Sequence, residues 1–263
     1  MEFFDTHSHY NDEKFDLDRE EIILKTKEDG ITRFNCVGYD VESSKLSIKI
    51  ANSYPFIYSI CGISPNDVVD DLCKIDKQIQ EIEYFLKNDE NKKIIAVGEI
   101  GLDYYWNKEN KEIQKQTFIR QIELANKYNL PIVIHTREAV QDTLEILKQN
   151  KVIKKGVFHC CPLNRELVKE ALKLGFYISF AGPITFKNSK NANEIVNMVP
   201  IDKVLIETDS PYLAPEPKRG TRNDSRNVKL IAQKVAEFKE ISLEEVAENT
   251  YKNALKIFEK ITN

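Results

Sequence analysis

No stretch of this sequence approaches the roughly 20 consecutive apolar residues that a membrane helix needs, so no membrane span is expected. A positive excess is missing too. Thirty-eight Lys and Arg against 42 Asp and Glu leave a net charge of −4 and a pI near 5.8, which argues against a broad basic surface for nucleic acid. Any anionic substrate has to be attracted locally. The five cysteines, Cys36, Cys61, Cys73, Cys160 and Cys161, are odd in number and without paired spacing, so a disulfide framework is excluded. No signal-peptide pattern precedes the first strand-like run, and the expectation is a reduced, cytoplasmic protein. Linkers, low-complexity tracts and repeats are lacking. The 263 residues, 41% of them hydrophobic, suit one large domain spanning 1–263. Histidine is scarce as well, and all four copies close short apolar, β-branched runs of the kind that form buried parallel strands.

What is present is an alternation. Strand-like runs are expected at 2–5, 31–37, 56–61, 94–97, 131–134, 156–158, 176–180 and 204–206. Amphipathic helical patterns separate them at 18–28, 43–52, 75–87, 112–128, 139–148, 166–174 and 192–197, and helices at 226–238, 242–249 and 251–260 close the chain. Ser242 with Glu245 three residues on is a capping-box signature. Strands each followed by a helix, none joined by a hairpin-length turn, predict an α/β fold, a (β/α)8 TIM barrel. An open doubly wound sheet would need a Gly-rich phosphate loop after its first strand. His7-Ser8-His9 stands there instead.

In such a barrel the C-terminal ends of the strands meet at one rim, so residues far apart in sequence become neighbours. His7 and His9 lie two apart and point to one face of a strand. Glu99 follows the fourth strand, His135 the fifth, His159 the sixth and Asp209 the eighth. A lone His at a strand end is more often a hydrogen-bonded structural residue, and an isolated His-x-His is weak. Four histidines and two acids at one rim are not easily produced by chance, and they point to metal. The mixture suits Zn, Mn, Co or Ni, with Mg favoured by a site richer in oxygen. Six ligands exceed the three or four that one catalytic ion takes, whereas two divalent cations bridged by a shared carboxylate would use them all.

Five ordered blocks carry a resemblance: Asp5-Thr-His-Ser-His9, Gly98-Glu-Ile-Gly-Leu-Asp-Tyr-Tyr105, Pro131-Ile-Val-Ile-His-Thr-Arg-Glu-Ala139, His159-Cys160, and Glu207-Thr-Asp-Ser-Pro-Tyr-Leu-Ala-Pro215 with Arg219-Gly-Thr-Arg-Asn223. Over essentially the whole chain this resembles the TatD family of metal-dependent deoxyribonucleases, a group of amidohydrolase-like barrels. The resemblance implies that His7, His9 and Asp209 hold one ion, His135 and His159 the other, and Glu99 bridges both. It implies hydrolysis of phosphodiester bonds in DNA, often from strand ends. The sequence departs from the family pattern in three places. Gly62-Ile63-Ser64-Pro65-Asn66 replaces a Gly-Ile-His-Pro run, Cys161-Pro162-Leu163 replaces Phe-Ser-Gly after the His-Cys pair, and Asp224-Ser225 replaces Glu-Pro. None touches an expected ligand.

The ligand set suggests chemistry. Two cations roughly 3.5 to 4 Å apart lower the pKa of a shared water and stabilise the attacking and leaving oxygens at phosphorus. Asp209 is then the candidate general base and Glu99 the shared carboxylate. Arg137, Arg219 and Arg222 are candidate phosphate forks. Tyr104, with Tyr105 and Trp106, is a candidate base-stacking residue, or else packs beneath a loop. Asp103 is read as orienting a ligand or as a turn residue. Cys160 and Cys161 are left out, because strand neighbours point opposite ways. The expected partner is DNA, and no obligate protein partner is evident. Two rivals stand: a hydrolase of the same scaffold acting on an ester or amide, such as an aminoacyl-tRNA ester, and a metal-binding module that holds a nucleic-acid end without cutting it.

Overall fold

The computed structural model describes residues 1–261. Among them, eight parallel strands follow one another around a single sheet in chain order: β1 Phe3–Ser8, β2 Ile31–Val37, β3 Ile57–Cys61, β4 Ile94–Asp103, β5 Ile132–Arg137, β6 Gly156–Phe158, β7 Tyr177–Phe180 and β8 Val204–Ile206. The seam between first and last strands is closed just beyond β8. Ser8 and Ser210 form a parallel bridge, the His9 amide donates to Ser210 O at 2.7 Å, and the Asp209 amide donates to His7 O at 2.9 Å. The fold is therefore the expected (β/α)8 barrel, and its last seam lies at the rim where His7, His9 and Asp209 sit.

Helices cover the outside: α1 Arg19–Glu28, α2 Val41–Ser53, α3 Leu72–Lys87, α4 Lys111–Lys127, α5 Val140–Gln149, α6 Arg165–Lys173, α7 Ala192–Met198, α8 Val228–Lys239 and α9 Leu243–Ile257. Side-chain caps start several of them, because the first amides of a helix have no partner within it. Asp40 and Ser43 form a capping box at α2, Asn164 caps α6, and Ser242 accepts the Glu245 amide at 3.1 Å at α9. One apolar cluster gathers alternate strand residues, among them Phe4, Ile60, Val133, Val157 and Leu205, with Ala254, Ile257 and Phe258 from the end of α9 packed against them. A larger one fills the shell between strands and helices. No helix among the described residues is long and apolar enough to cross a membrane.

Three expectations change. The closing helices at 242–249 and 251–260 are mostly one helix, α9, because Thr250 satisfies its hydroxyl by donating to Val246 O at 2.8 Å inside the helix. β1 runs on to Ser8, with an irregular register between Asp5 and Ser8. Such irregularities re-aim side chains. β4 runs on from Val97 to Asp103, so Glu99 and His135 lie within strands rather than after them. Gly98 and Gly101, both inside β4, serve close packing between strands. Gly101 has φ 139°, and a Cβ there would lie 2.0 Å from His135 O.

Gly101→Ala should therefore force β4 and β5 apart beside the site and lower unfolding free energy by roughly 3 kcal/mol or more in denaturant titration. Gly220 is the control. It also has positive φ, but open space surrounds its Cβ position, so Gly220→Ala should cost about 1–2 kcal/mol from conformation alone. Equal costs would show that crowding at His135 is unimportant.

Candidate metal centre

The carboxylate of Glu99 stands between two groups of side chains. Its Oε2 lies 3.4 Å from His7 Nε2 and 3.8 Å from His9 Nε2, and these nitrogens lie 3.7 and 3.3 Å from Asp209 Oδ1. Its Oε1 lies 3.0 Å from His135 Nδ1 and 3.5 Å from His159 Nε2, which are 3.1 Å from each other. All six side chains expected from the sequence thus converge at the mouth of the barrel. His7, His9, Glu99 and His159 are buried, while His135 and Asp209 are partly exposed. Asp209 holds φ 56° in the left-handed region, a costly conformation for a non-glycine residue and one that tends to persist at functional sites.

The residues around this cluster fix which ring nitrogen turns inward. His9 Nδ1 lies 2.9 Å from Val37 O, and a carbonyl can only accept, so Nδ1 carries the proton and Nε2 offers a lone pair to the centre. His135 Nε2 lies 2.9 Å from Asp103 Oδ2, which leaves Nδ1 as the inward lone pair. His159 Nδ1 sits 3.3 Å from Glu207 Oε1, an ion-pair distance without hydrogen-bond geometry, with Nε2 facing in. Glu207 is itself held by the Cys160 amide, which donates to Oε1 at 2.5 Å. Acceptors therefore confront acceptors: inward imidazole lone pairs meet the oxygens of Glu99 and Asp209. Only positive charge makes such a cluster favourable, and its N/O donors suit divalent cations. His7, Glu99 and His159, and separately His7, His9 and Asp209, bring their ligand atoms within 4.8 Å of one another and could each hold a metal ion.

Ionisation follows the same logic. Where protons on the inward nitrogens supply the positive charge, burial would raise the Glu99 carboxyl, but the charge of His159 and hydrogen bonds from His135, His159 and His7 hold it well below the usual range. Burial likewise opposes charge on His159, yet Glu99 and Glu207 carry it well above an ordinary imidazole. His9 and His135 are also raised against burial, by Asp209 and by Asp103 respectively. His7 alone is lowered, by burial and then by His159, against which its ring stacks at 4.0 Å. The site draws positive charge.

A cavity of about 820 Å³ opens above the cluster. Arg137 lines it, with its guanidinium 3.8 Å from the Tyr105 ring centroid and 5.4 Å from that of Trp106, which also lines the wall. The other expected substrate residues do not line it. Tyr104 is buried and donates its hydroxyl to Asp142 Oδ2 at 2.7 Å, so the packing role prevails. Arg222 forks onto Asp18 at 2.8 and 2.6 Å and donates to Lys14 O at 2.7 Å, tying the loop after β8 to the start of α1. Arg219 stacks on Phe186 at 4.3 Å. Asp103 fills both suggested roles: Oδ2 meets His135, and Oδ1 accepts the Tyr105 and Trp106 amides at 2.9 and 3.0 Å.

Some wall residues were left out of the sequence reading or entered it only as departures from the family pattern. Cys160 and Cys161 both face the cavity, because β6 ends at Phe158 and Cys160 turns to φ 37°, so strand alternation does not apply. Burial pushes both thiols up, helped at Cys160 by Asp209 and Glu207. Ser64, where the family pattern has His, is buried on the wall, and its Oγ accepts the Asn66 amide at 3.3 Å. Asp67 is pushed up to about 6 by burial and then by Asp40 and Glu99. Tyr212 and Leu213 belong to the last motif block and needed the fold to reveal their exposure. Asp224, in place of Glu, caps the turn before α8 by accepting the Arg226 amide at 3.0 Å.

The pattern of the family described as TatD related DNase matches residues 4–259. The chain belongs to that family. It is 41% identical over 256 residues to the uncharacterized metal-dependent hydrolase YabD of Bacillus subtilis (strain 168), covering 97% of this chain and 98% of YabD. A metal-dependent hydrolase of Buchnera aphidicola subsp. Baizongia pistaciae is 36% identical over 262 residues, with 98% and 96% covered. The crystal structure of the TatD homologue YJJV from Escherichia coli K12 superposes with TM-score 0.90 at 23% identity, over 98% of each chain, and supports the TatD barrel. The protein is thus a TatD-family metal-dependent hydrolase, and its His, Glu and Asp cluster could bind the metal.

Proposed function

We propose that this TatD-family hydrolase is a deoxyribonuclease that cleaves phosphodiester bonds of DNA, removing nucleotides from strand ends. The observation that carries the reading is the division of Glu99: one oxygen faces His7, His9 and Asp209, the other His135 and His159. We assign two divalent cations to these groups, from among Mg, Mn, Zn, Co and Ni. When bound, they would supply Lewis acidity that lowers the pKa of water and steadies charge developing at phosphorus. Asp209 would accept the proton from the attacking water at a carboxylate oxygen. Burial alone would raise its carboxyl, but the His9 hydrogen bond and the neighbouring histidines hold it below the usual range, so it is anionic at neutral pH. A new P–O bond would form to that water as the P–O bond to the neighbouring nucleotide breaks, and the leaving oxygen would take up a proton to depart as a hydroxyl. Arg137, already fixed against Tyr105, would fork onto the non-bridging oxygens with little rotamer freedom left to lose.

The test compares substrates on metal-loaded protein. Hydrolysis of bis(p-nitrophenyl) phosphate and of end-labelled DNA should vanish with chelator and return with Mg or Mn, and the product ladder gives the polarity. Faster turnover of carboxylic or aminoacyl esters than of phosphodiesters would overturn the reading in favour of the ester-hydrolase alternative.

A further inference from the structure

The rim is electrically lopsided. Segments 38–40 and 62–71, after β2 and β3, carry Asp40, Asp67, Asp70 and Asp71 and no Lys or Arg. Segment 181–191, after β7, carries Lys187 and Lys190 and no acid, and Lys218 and Arg219 follow in the loop after β8. These four cations are exposed, and among the described residues none of them makes an ion pair. The two basic loops are fastened together: Arg219 stacks on Phe186 at 4.3 Å, and the Glu216 amide donates to Thr185 Oγ1 at 2.9 Å. They also continue the cavity wall, since Pro183 and Leu213 line it.

A chain of net charge −4 repels a polyanion at long range, so productive contact has to come from a local patch of opposite sign. We propose that Lys187, Lys190, Lys218 and Arg219 form the track over which the uncut part of a single-stranded DNA substrate leaves the cavity. This rests on the deoxyribonuclease reading and deepens it. The backbone finds cations on the β7 and β8 side, whereas the segments after β2 and β3 offer it aspartates and no cationic support. A continuing strand that crossed to the β2 and β3 side would meet those aspartates, which favours a strand end over Glu99. Phosphates beyond the cut bond then contribute to binding.

Binding to a labelled, phosphorothioate-linked single strand, which keeps its charge but resists cleavage, tests this by fluorescence anisotropy at several salt concentrations. Alanine at all four positions should weaken binding about tenfold or more and flatten the log–log salt slope by roughly 3, at about 0.7 per lost phosphate contact. K187A/K218A should show about half that flattening, so the test survives if the fourfold variant folds poorly. A control that removes Lys45, Lys49, Lys77 and Lys87 from α2 and α3 changes net charge equally and should leave the slope unchanged. Turnover of bis(p-nitrophenyl) phosphate should be the same in all variants. An unaltered slope in the track variants, or an equal loss in the control, overturns the track. Wild-type protein that cleaves no phosphodiester with any metal overturns the deoxyribonuclease reading instead, and the binding result is read separately.

Discussion

Replacing Glu99 by alanine is expected to abolish turnover, by about a thousandfold or more, equivalent to ~4 kcal/mol of lost transition-state stabilisation. The size follows from its position. Glu99 is the carboxylate that divides between the two groups, with one oxygen among His7, His9 and Asp209 and the other between His135 and His159. Its loss removes a negative charge from both sides at once and leaves imidazole lone pairs facing each other at 3.1–3.2 Å. Metal content, measured by inductively coupled plasma mass spectrometry after dialysis, should fall with activity. Glu99→Gln keeps the size and one acceptor oxygen but not the charge, so it should fall between wild type and alanine in metal content. If Glu99→Ala retains full metal content and near-normal turnover, the shared-carboxylate arrangement is wrong.

The sequence made the barrel legible because most strands are short apolar runs ending at Gly, His or an acid, and because no hairpin turn intervenes. It was less informative wherever a residue's role depends on a partner distant in the chain. Gly98 stands where the expected fourth strand stops, and only the neighbouring Val133 and His135 of β5 show that Gly98 and Gly101 permit close packing within β4. Arg222 looks like a phosphate ligand until Asp18, 204 positions away, is seen to take both its nitrogens. Tyr104 is adjacent to the exposed Tyr105, yet its hydroxyl is claimed by Asp142. The six rim residues were easier, because strand ends in a barrel converge by construction. Their orientation was readable only at His135, through Asp103; at His9 and His159 Val37 O and Glu207 set it, and neither was singled out from the sequence. Cys160 and Cys161 fell outside the reading because alternation holds only while a strand continues.

Asp209→Asn should separate holding the metal from moving the proton. The substitution is unusually clean at this position. Asp209 occupies φ 56°, and asparagine tolerates the left-handed region better than most residues, so the backbone should not move. The amide bonds that fix it, from Asp209 N to His7 O and from Tyr212 N to Asp209 O, both at 2.9 Å, involve the main chain only. An amide oxygen is still a metal ligand, and His7, His9 and Glu99 remain around it. What disappears is the anionic oxygen able to take a proton, a contribution of about 10²- to 10⁴-fold for a positioned general base. Turnover of a phosphodiester should therefore collapse by that factor while most of the metal stays bound and KM changes little. Metal lost in proportion to activity would show instead that Asp209 acts only as a ligand. Full activity with full metal would remove it from the chemistry and return the choice of base to the other groups facing the cavity.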